Sequence, residues 1–298
     1  MTAMFYEAMV LARSYLTPGM VRLTFGGEGL RAFPVTGVPD EYLRLFFPDP
    51  GTGRLHLPHI DEKGRWTYPD GQDKIHCSTY TVRDFRTAEN GDVEMDIDFV
   101  VHEGGTASEW AQKAEPGATI TLNRSRGLYT PPADMAWQVL VADATGLPAL
   151  ARILENTPDS IQSRVFVEVA DPDHQLELPF HPAAMVTWLH RSGNGVGPSR
   201  MAEVVRSVPL PATPGYIWVA GEQKVVRSIR KYVRQDLKLP PERYELVGYW
   251  IAEGEAWEAK WEALPAEVKA AIDAAWSTDR DPEIVRDEYE ATLEKYGL

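Results

Sequence analysis

The sequence predicts a two-part β plus α/β fold: an N-terminal antiparallel β-barrel, a parallel α/β domain, and a helical extension at the C-terminus. Three observations carry this. From Val10 to about Leu122 the chain consists of short alternating or β-branched runs separated by turn residues. A proline-rich boundary, YTPPADMA (Tyr129–Ala136), then gives way to near-continuous apolar runs alternating with helical spacing. From Glu253 onward, Trp257, Trp261, Leu264, Val268 and Ile272 recur at the spacing of one helix face. The domains are therefore expected at residues 1–133 and 134–298, the second including the extension from about residue 253.

In the first part the expected strands are VRLTF (Val21–Phe25), YLRLFF (Tyr42–Phe47), STYTVRDF (Ser78–Phe85), VEMDIDFVV (Val93–Val101) and ATITL (Ala118–Leu122). Gly, Pro, Asp and Asn clusters separate them, and six or so short strands of this kind suit a small closed barrel. One helix is expected at TASEWAQKA (Thr106–Ala114), with Thr106 or Ser108 as its cap. In the second part, WQVLVAD (Trp137–Asp143) leads into ATGLPALARILE, and RVFVEVAD, MVTWLHR and YIWVAGE read as further buried strands. The helix QKVVRSIRKYVRQDL follows, and YELVGYW closes the series. Strand, helix, strand in this order is Rossmann-like.

Composition excludes several function classes. The chain has 298 residues, 44% of them apolar, with a formal net charge of −14. Such a charge opposes nucleic acid, which is held mainly by Lys and Arg on phosphates. Thirteen acidic and five basic residues between Ala252 and Leu298 give that tail −8, so the body is nearer to balance. No run of about 18 apolar residues suggests a membrane span, and MTAMFYEAMVLARSYL lacks the features of a signal peptide. A cytoplasmic monomer without stable membrane association is expected. The single cysteine, Cys77, rules out an internal disulfide and a cysteine metal cluster, and no protein-bound metal is expected.

Some of the polar residues stand where a plain core strand would carry apolar ones. A flavin site needs backbone donors at a helix start, hydrogen-bonding strand residues and aromatic faces. STYTVRDF offers Tyr80 for the ring, Thr81 as a hydroxyl partner to its edge and Arg83 as a nearby charge, while HEGGTASEWA (His102–Ala111) offers glycines and a helix start to a pyrophosphate. Each stretch alone also fits an ordinary strand or strand-to-helix turn. In the second part VADATGLPALARILE puts a small-residue turn between a strand and a helix, where doubly wound sheets bind nucleotides. Asp143, Ala144, Thr145, Gly146 and Leu147 are the candidates there, with Ala220, Gly221 and Glu222 at the end of IWVAGE. Neither a GxGxxG nor a Walker lysine is present, so ordinary turn chemistry fits these residues too.

Taken in order, YTVR, DFVVH, GTASEWA, DATGLPALARILE, WVAGE and GYW resemble the siderophore-interacting protein family of FAD-dependent ferric-siderophore reductases, over about Val10 to Trp250. The resemblance implies a ferredoxin-reductase-like architecture: an FAD-binding barrel followed by an NAD(P)H-binding domain, with NADH or NADPH as donor and a ferric siderophore as substrate. It implies flavin contacts at Ser78, Tyr80, Thr81, Val82 and Arg83, at Asp98, Val100 and His102, at Gly105, Ala107, Ser108 and Trp110, and at Tyr249 and Trp250. Ser78 stands where the family usually has Arg, Thr106 where it commonly has Pro, and Ile251 where Arg commonly follows GYW. Serine is no substitute for a guanidinium's planar fork on phosphate.

On this reading electrons pass from NAD(P)H through FAD to the chelated iron, and the protein supplies positioning rather than covalent catalysis. Arg124 and Arg126 of NRSRG are candidates for a cationic rim receiving an anionic chelate, although solvated loop charges fit them equally. The alternatives are a siderophore- or flavin-binding protein without turnover and a general NAD(P)H-flavin reductase. The acidic tail argues against an acidic ferredoxin as donor. Between NADH and NADPH the sequence leaves the choice open, with Arg191, Arg200, Lys224 and Arg227 all candidates for a 2′-phosphate.

Overall fold

The computed structural model describes residues 4–49, 51–60, 66–67, 75–276, 280 and 282–298. Its first sheet has seven antiparallel strands in the order β6-β3-β9-β1-β2-β8-β7. These are β1 (Phe5–Thr17), β2 (Met20–Gly26), β3 (Tyr42–Phe47), β6 (His76–Thr81), β7 (Asp84–Thr87), β8 (Val93–Val100) and β9 (Thr119–Asn123). A two-stranded hairpin, β4 (His59–Ile60) with β5 (Trp66–Thr67), lies apart. Strand alternation sorts the side chains. On β8, Met95, Ile97 and Phe99 enter the barrel core while Asp96 and Asp98 point to the other face. There Arg22 holds Asp98 at 2.6 Å and Arg86 holds Asp96 at 2.8 Å, which makes two close carboxylates tolerable.

STYTVRDF differs from the single strand expected. It breaks at a seam between β6 and β7, the two edge strands of this barrel-like sheet. Between them the Val82 amide donates to Glu41 O (2.8 Å) and the Arg83 amide to Asp96 O (2.9 Å), one to each side. Helix α1 (Thr106–Lys113) packs Ala107 and Ala111 into the same core.

The second sheet has five parallel strands in the order β12-β11-β10-β13-β14: β10 (Trp137–Ala142), β11 (Gln162–Val169), β12 (Ala184–His190), β13 (Gly215–Glu222) and β14 (Tyr244–Trp250). Helix α2 (Leu147–Glu155) covers one face; α3 (Met201–Ser207) and α4 (Gln223–Lys231) cover the other. Strands are added leftward from β10 to β12 and then rightward from β13, so the gap between β10 and β13 is the switch point of a doubly wound sheet. Gly146 lies in this crevice, where a Cβ would come within 2.9 Å of the Ala220 Cβ and 3.0 Å of the Ala142 Cβ. The helix start can sit on the strands only as glycine.

The two sheets meet across a set of buried polar bonds. Asp40, fully buried, accepts from the amides of Leu128 and Tyr129 in the connecting segment (both 2.8 Å) and from Trp218 Nε1 on β13 (3.3 Å). Burial pushes its carboxyl above the ordinary range, against the pull of those donors. Beside it Glu41 accepts from Ser125 Oγ (2.5 Å) and the Thr36 amide (2.6 Å) and lies 3.7 Å from Arg152 of α2.

The helical extension consists of α5 (Gly254–Glu262), α6 (Ala266–Trp276) and α7 (Pro282–Lys295). Trp257 and Trp261 stack on each other, 5.5 Å apart and 7° from parallel, against the small core of Leu264, Leu293 and Leu298. The acidic tail is anchored by the arginines of α4 and the turn after it. Arg230 meets Glu283 (2.9 Å), Asp287 (3.2 Å) and Glu290 (3.3 Å); Arg234 meets Glu283 (2.7 Å) and Asp287 (2.6 Å). Between α4, β14 and α7 lies a cleft of about 530 Å³, lined by Arg227, Tyr244, Glu245, Arg286 and Glu290 among others and by none of the expected flavin residues.

Burial in this cleft pushes the Glu245 carboxyl up to about 7 from 4.5, partly opposed by Arg286. The folded protein thus binds this proton more tightly than the unfolded chain, so stability falls as pH rises from about 4.5 to about 7. Glu245→Gln removes that loss. The variant's melting temperature, measured against the wild type, is expected to gain more at pH 8 than at pH 5; an equal difference at both would show that the group is not buried as described.

Candidate active site

Beside the barrel seam, Phe99 links two of the expected flavin residues, Tyr80 and Trp110. Tyr80 packs on Phe99, ring centroids 4.3 Å apart at 43°, and Phe99 lies 6.4 Å from Trp110 of α1. Phe99, fully buried, thus joins the strand motif to the helix motif. Sequence reading did not single it out, because an apolar residue in DFVVH carries no sign of its position between two aromatic rings. Thr81 is 4% exposed and its Oγ1 makes no well-formed hydrogen bond, although the Tyr249 hydroxyl faces it. A buried hydroxyl in that condition costs about 1–3 kcal/mol, so a ligand atom that met it would be well held.

At the start of α1, Gly104 and Gly105 have φ of 71° and 92°, and a Cβ at Gly104 would meet open space. These left-handed residues turn the chain sharply out of β8 into the helix. Ser108 is buried and bonded both ways to the His102 backbone, at 3.0 and 3.1 Å, so it fixes this turn. His102 itself is exposed beside the turn, and Ala107 is buried beneath it. The Thr81 hydroxyl and the open space at Gly104 fit a flavin, while a Cβ at Gly105 would meet His102 Cε1 at 2.8 Å.

Other expected flavin residues are engaged elsewhere. Asp98 is held by Arg22 Nε and Nη2 (2.6 and 2.9 Å), and Val100 packs with Met20 against the core of the second sheet. Arg83 makes a two-pronged ion pair with Glu155 of α2, at 2.6 and 3.0 Å. Arg152 of the same helix donates to Val82 O at 2.5 Å. Trp110 faces Phe25 and Phe47 within the barrel. Ser78 pairs with Leu45 across β3, on the same face as Tyr80. Arg124 and Arg126 are both exposed and flank the buried Ser125. Arg126 exchanges backbone bonds with Tyr42, whose register partner on β6 is Thr81.

In the nucleotide half, Asp143 is 1% exposed and accepts from Thr145 N (2.9 Å), Thr145 Oγ1 (2.6 Å) and Trp250 Nε1 (2.7 Å). Burial pushes its carboxyl up. The Ala144 amide donates to Asn194 Oδ1 (2.9 Å) and the Gly146 amide to Asp143 O (3.1 Å). The amides of residues 144–146 are therefore already engaged, and this turn is a rigid, internally bonded one. Leu147, Ala220 and Gly221 are buried, and Glu222 caps α4 through the Val225 amide at 2.9 Å. Asn194 was not foreseen, since nothing in RSGNGVG marks it as reaching a turn fifty residues earlier.

The two halves are joined by the last two residues of β14. Tyr249 faces Thr81 of the seam, its hydroxyl pushed up by burial and held neutral, while Trp250 bonds Asp143 of the turn. One strand end touches both candidate sites.

Profiles of known families match on both sides of this junction: a siderophore-interacting FAD-binding domain over residues 9–128 and a siderophore-interacting protein domain over residues 135–253. The chain is 33% identical over 244 residues to the ferric vibriobactin reductase ViuB of Vibrio cholerae, covering 80% of this chain and 86% of that protein. It is 32% identical over 252 residues to the NADPH-dependent ferric-chelate reductase of Escherichia coli, covering 83% and 93%. Among solved structures, a siderophore utilization protein from T. fusca superposes with a TM-score of 0.72 at 30% identity, covering 85% of this chain and 96% of the other. A barrel-like sheet whose two edge strands meet at YTVR, a switch-point turn bonded to the last strand, and matches that run through both halves place this chain in the siderophore-interacting protein family.

Proposed function

We propose that the protein is an FAD-dependent NAD(P)H oxidoreductase that reduces ferric siderophores, so that iron leaves its chelator in the ferrous state. The observation that carries this is the end of β14, where Tyr249 faces the seam hydroxyl of Thr81 and Trp250 holds the nucleotide-side Asp143. A barrel that only bound a flavin or a chelate would have no use for a nucleotide turn attached to it. The names of the vibriobactin and ferric-chelate reductases support the substrate class.

When bound, FAD takes a hydride's two electrons together and releases them singly, so one NAD(P)H reduces two ferric ions and yields one proton. The chain's residues provide the placement. Tyr80 and the Thr81 Oγ1 face the ring and its edge, and the open turn at Gly104 and Gly105 with the start of α1 receives the diphosphate. Ser78 adds no charge there. Tyr249 screens the seam from water, and Trp250 with Asp143 fixes the turn against which the nicotinamide nucleotide lies. Arg124 and Arg126, exposed beside Tyr42, attract an anionic chelate to the adjacent rim. No helix among the described residues is long and apolar enough to cross a membrane. We assign the reaction to a monomer in the cytoplasm, where nicotinamide donors are regenerated.

The test is anaerobic. Protein reconstituted with FAD is expected to lose its yellow colour on adding NADPH or NADH, and to regain it as a ferric siderophore is converted to a ferrous complex trapped by a ferrous-specific chelator. Colour that neither donor bleaches would leave only a binding protein. The seam makes a second prediction with two opposite signs. Thr81→Val removes a buried hydroxyl that makes no well-formed hydrogen bond, so the FAD-free protein should be no less stable, while FAD affinity falls about tenfold. Unchanged affinity in a titration followed by flavin fluorescence would remove Thr81 from the flavin site.

A further inference from the structure

We propose that the donor is NADPH rather than NADH, and that Arg191 selects it by binding the 2′-phosphate of its adenosine ribose. This rests on the reading of the α/β domain as the nicotinamide-nucleotide domain. In a doubly wound sheet, a dinucleotide held at the first strand-to-helix turn lays its ribose 2′ position near the carboxyl end of the next strand, where an acid selects NADH and an arginine selects NADPH. Here that end is the Val169–Asp171 end of β11. The Arg191 amide donates to Ala170 O at 3.0 Å, which places its backbone beside that strand end.

The four candidate cations separate on geometry. Arg227 is buried and donates to Leu298 O at 2.8 Å, within the anchor of the extension. Arg200 lies 3.7 Å from Glu203 on its own helix. Lys224 stands on α4, after β13, on the other side of the switch point. Arg191 is exposed, and its guanidinium has no hydrogen-bond or ion-pair partner among the described residues. The acid that would favour NADH is otherwise occupied: Asp171 Oδ1 accepts from the Asp173 amide (2.9 Å) and lies 2.7 Å from His174 Nδ1, within its own turn.

The loop carrying Arg191 is also fixed relative to the nucleotide turn. Glu168, fully buried on β11, accepts from Ser192 Oγ (2.6 Å), Ser199 Oγ (3.1 Å) and the amides of Arg200 and Met201. Any Cβ at residue 193 would lie 2.2 Å from Glu168 Oε2, and its φ is 61°, so glycine is required there. Asn194 then closes the arrangement, donating to Glu168 O (3.1 Å) and accepting from the Ala144 amide (2.9 Å). Arg191 itself has a φ of 55°. A guanidinium without a partner among the described residues is thus mounted on a loop that is bonded to the switch-point turn at Ala144. Its planar fork suits a phosphate, where a carboxylate would suit a ribose hydroxyl.

The experiment is calorimetry on the FAD-loaded protein with adenosine 2′,5′-bisphosphate and adenosine 5′-monophosphate. The wild type should bind the bisphosphate about ten- to a hundredfold more tightly. Arg191→Asn, a neutral residue at ease with left-handed backbone, should abolish that preference while leaving monophosphate binding, FAD content and melting temperature unchanged. Arg191→Lys should recover part of it. A preference that survives in Arg191→Asn, or equal binding of the two probes by the wild type, would overturn the inference and leave the reductase reading standing. Failure to bind either probe would overturn both.

Discussion

The carboxylate of Asp40 is the point on which the two halves of the molecule are fixed. One oxygen takes the amides of Leu128 and Tyr129, and the other the Trp218 indole, so barrel, connecting segment and parallel sheet meet on one side chain. From there the bonding continues through the Tyr129 hydroxyl to Gln138 (2.6 Å), and from Gln138 to Thr157 and Ser163 (both 2.9 Å) inside the α/β domain. Buried groups of this kind are costly when one partner is lost. A hinge at the connecting segment would have to break several such bonds together.

Helix α2 extends that rigidity to the chemistry. Its first residues follow the switch-point turn, and its last turn grips the barrel seam through Arg152 on Val82 O and Glu155 on Arg83. The residues expected to face the flavin and those expected to face the nucleotide are therefore attached to opposite ends of one nine-residue helix. Tyr249 and Trp250 repeat the link from the other side. A hydride donor and acceptor must be held at contact distance, and a scaffold with two independent cross-links between its halves provides that without closing a lid.

Most of the fold was legible because it is written in local pattern. The strands at Tyr42–Phe47 and Tyr244–Trp250 coincide with the runs read from sequence, and the helix over Thr106–Lys113 differs from expectation by one residue. Strand β1 escaped notice: its alternation fails where the register shifts between Val10 and Ala12 and again between Tyr15 and Thr17. The break at Val82–Arg83 carries no Gly or Pro, since it is imposed by two distant strands. At the site, Tyr80 and Thr81 could be singled out because a polar residue in a buried strand is locally anomalous. Arg83 could not be placed correctly, because its partner, Glu155, is 72 residues away. Asp40 looked like turn punctuation, and its burial depends on a tryptophan 178 residues later.

On the reductase reading, electron delivery from the nicotinamide through FAD to the chelated iron depends on this junction staying fixed. Asp40→Asn tests it most directly, because the amide still accepts from the connecting segment but turns an N–H toward the Trp218 N–H. In stopped-flow mixing with NADPH, a variant that keeps its FAD and its circular dichroism should reduce the flavin about tenfold more slowly or worse. Reduction at the wild-type rate would show that the junction does not set the distance between donor and flavin, and would contradict the account.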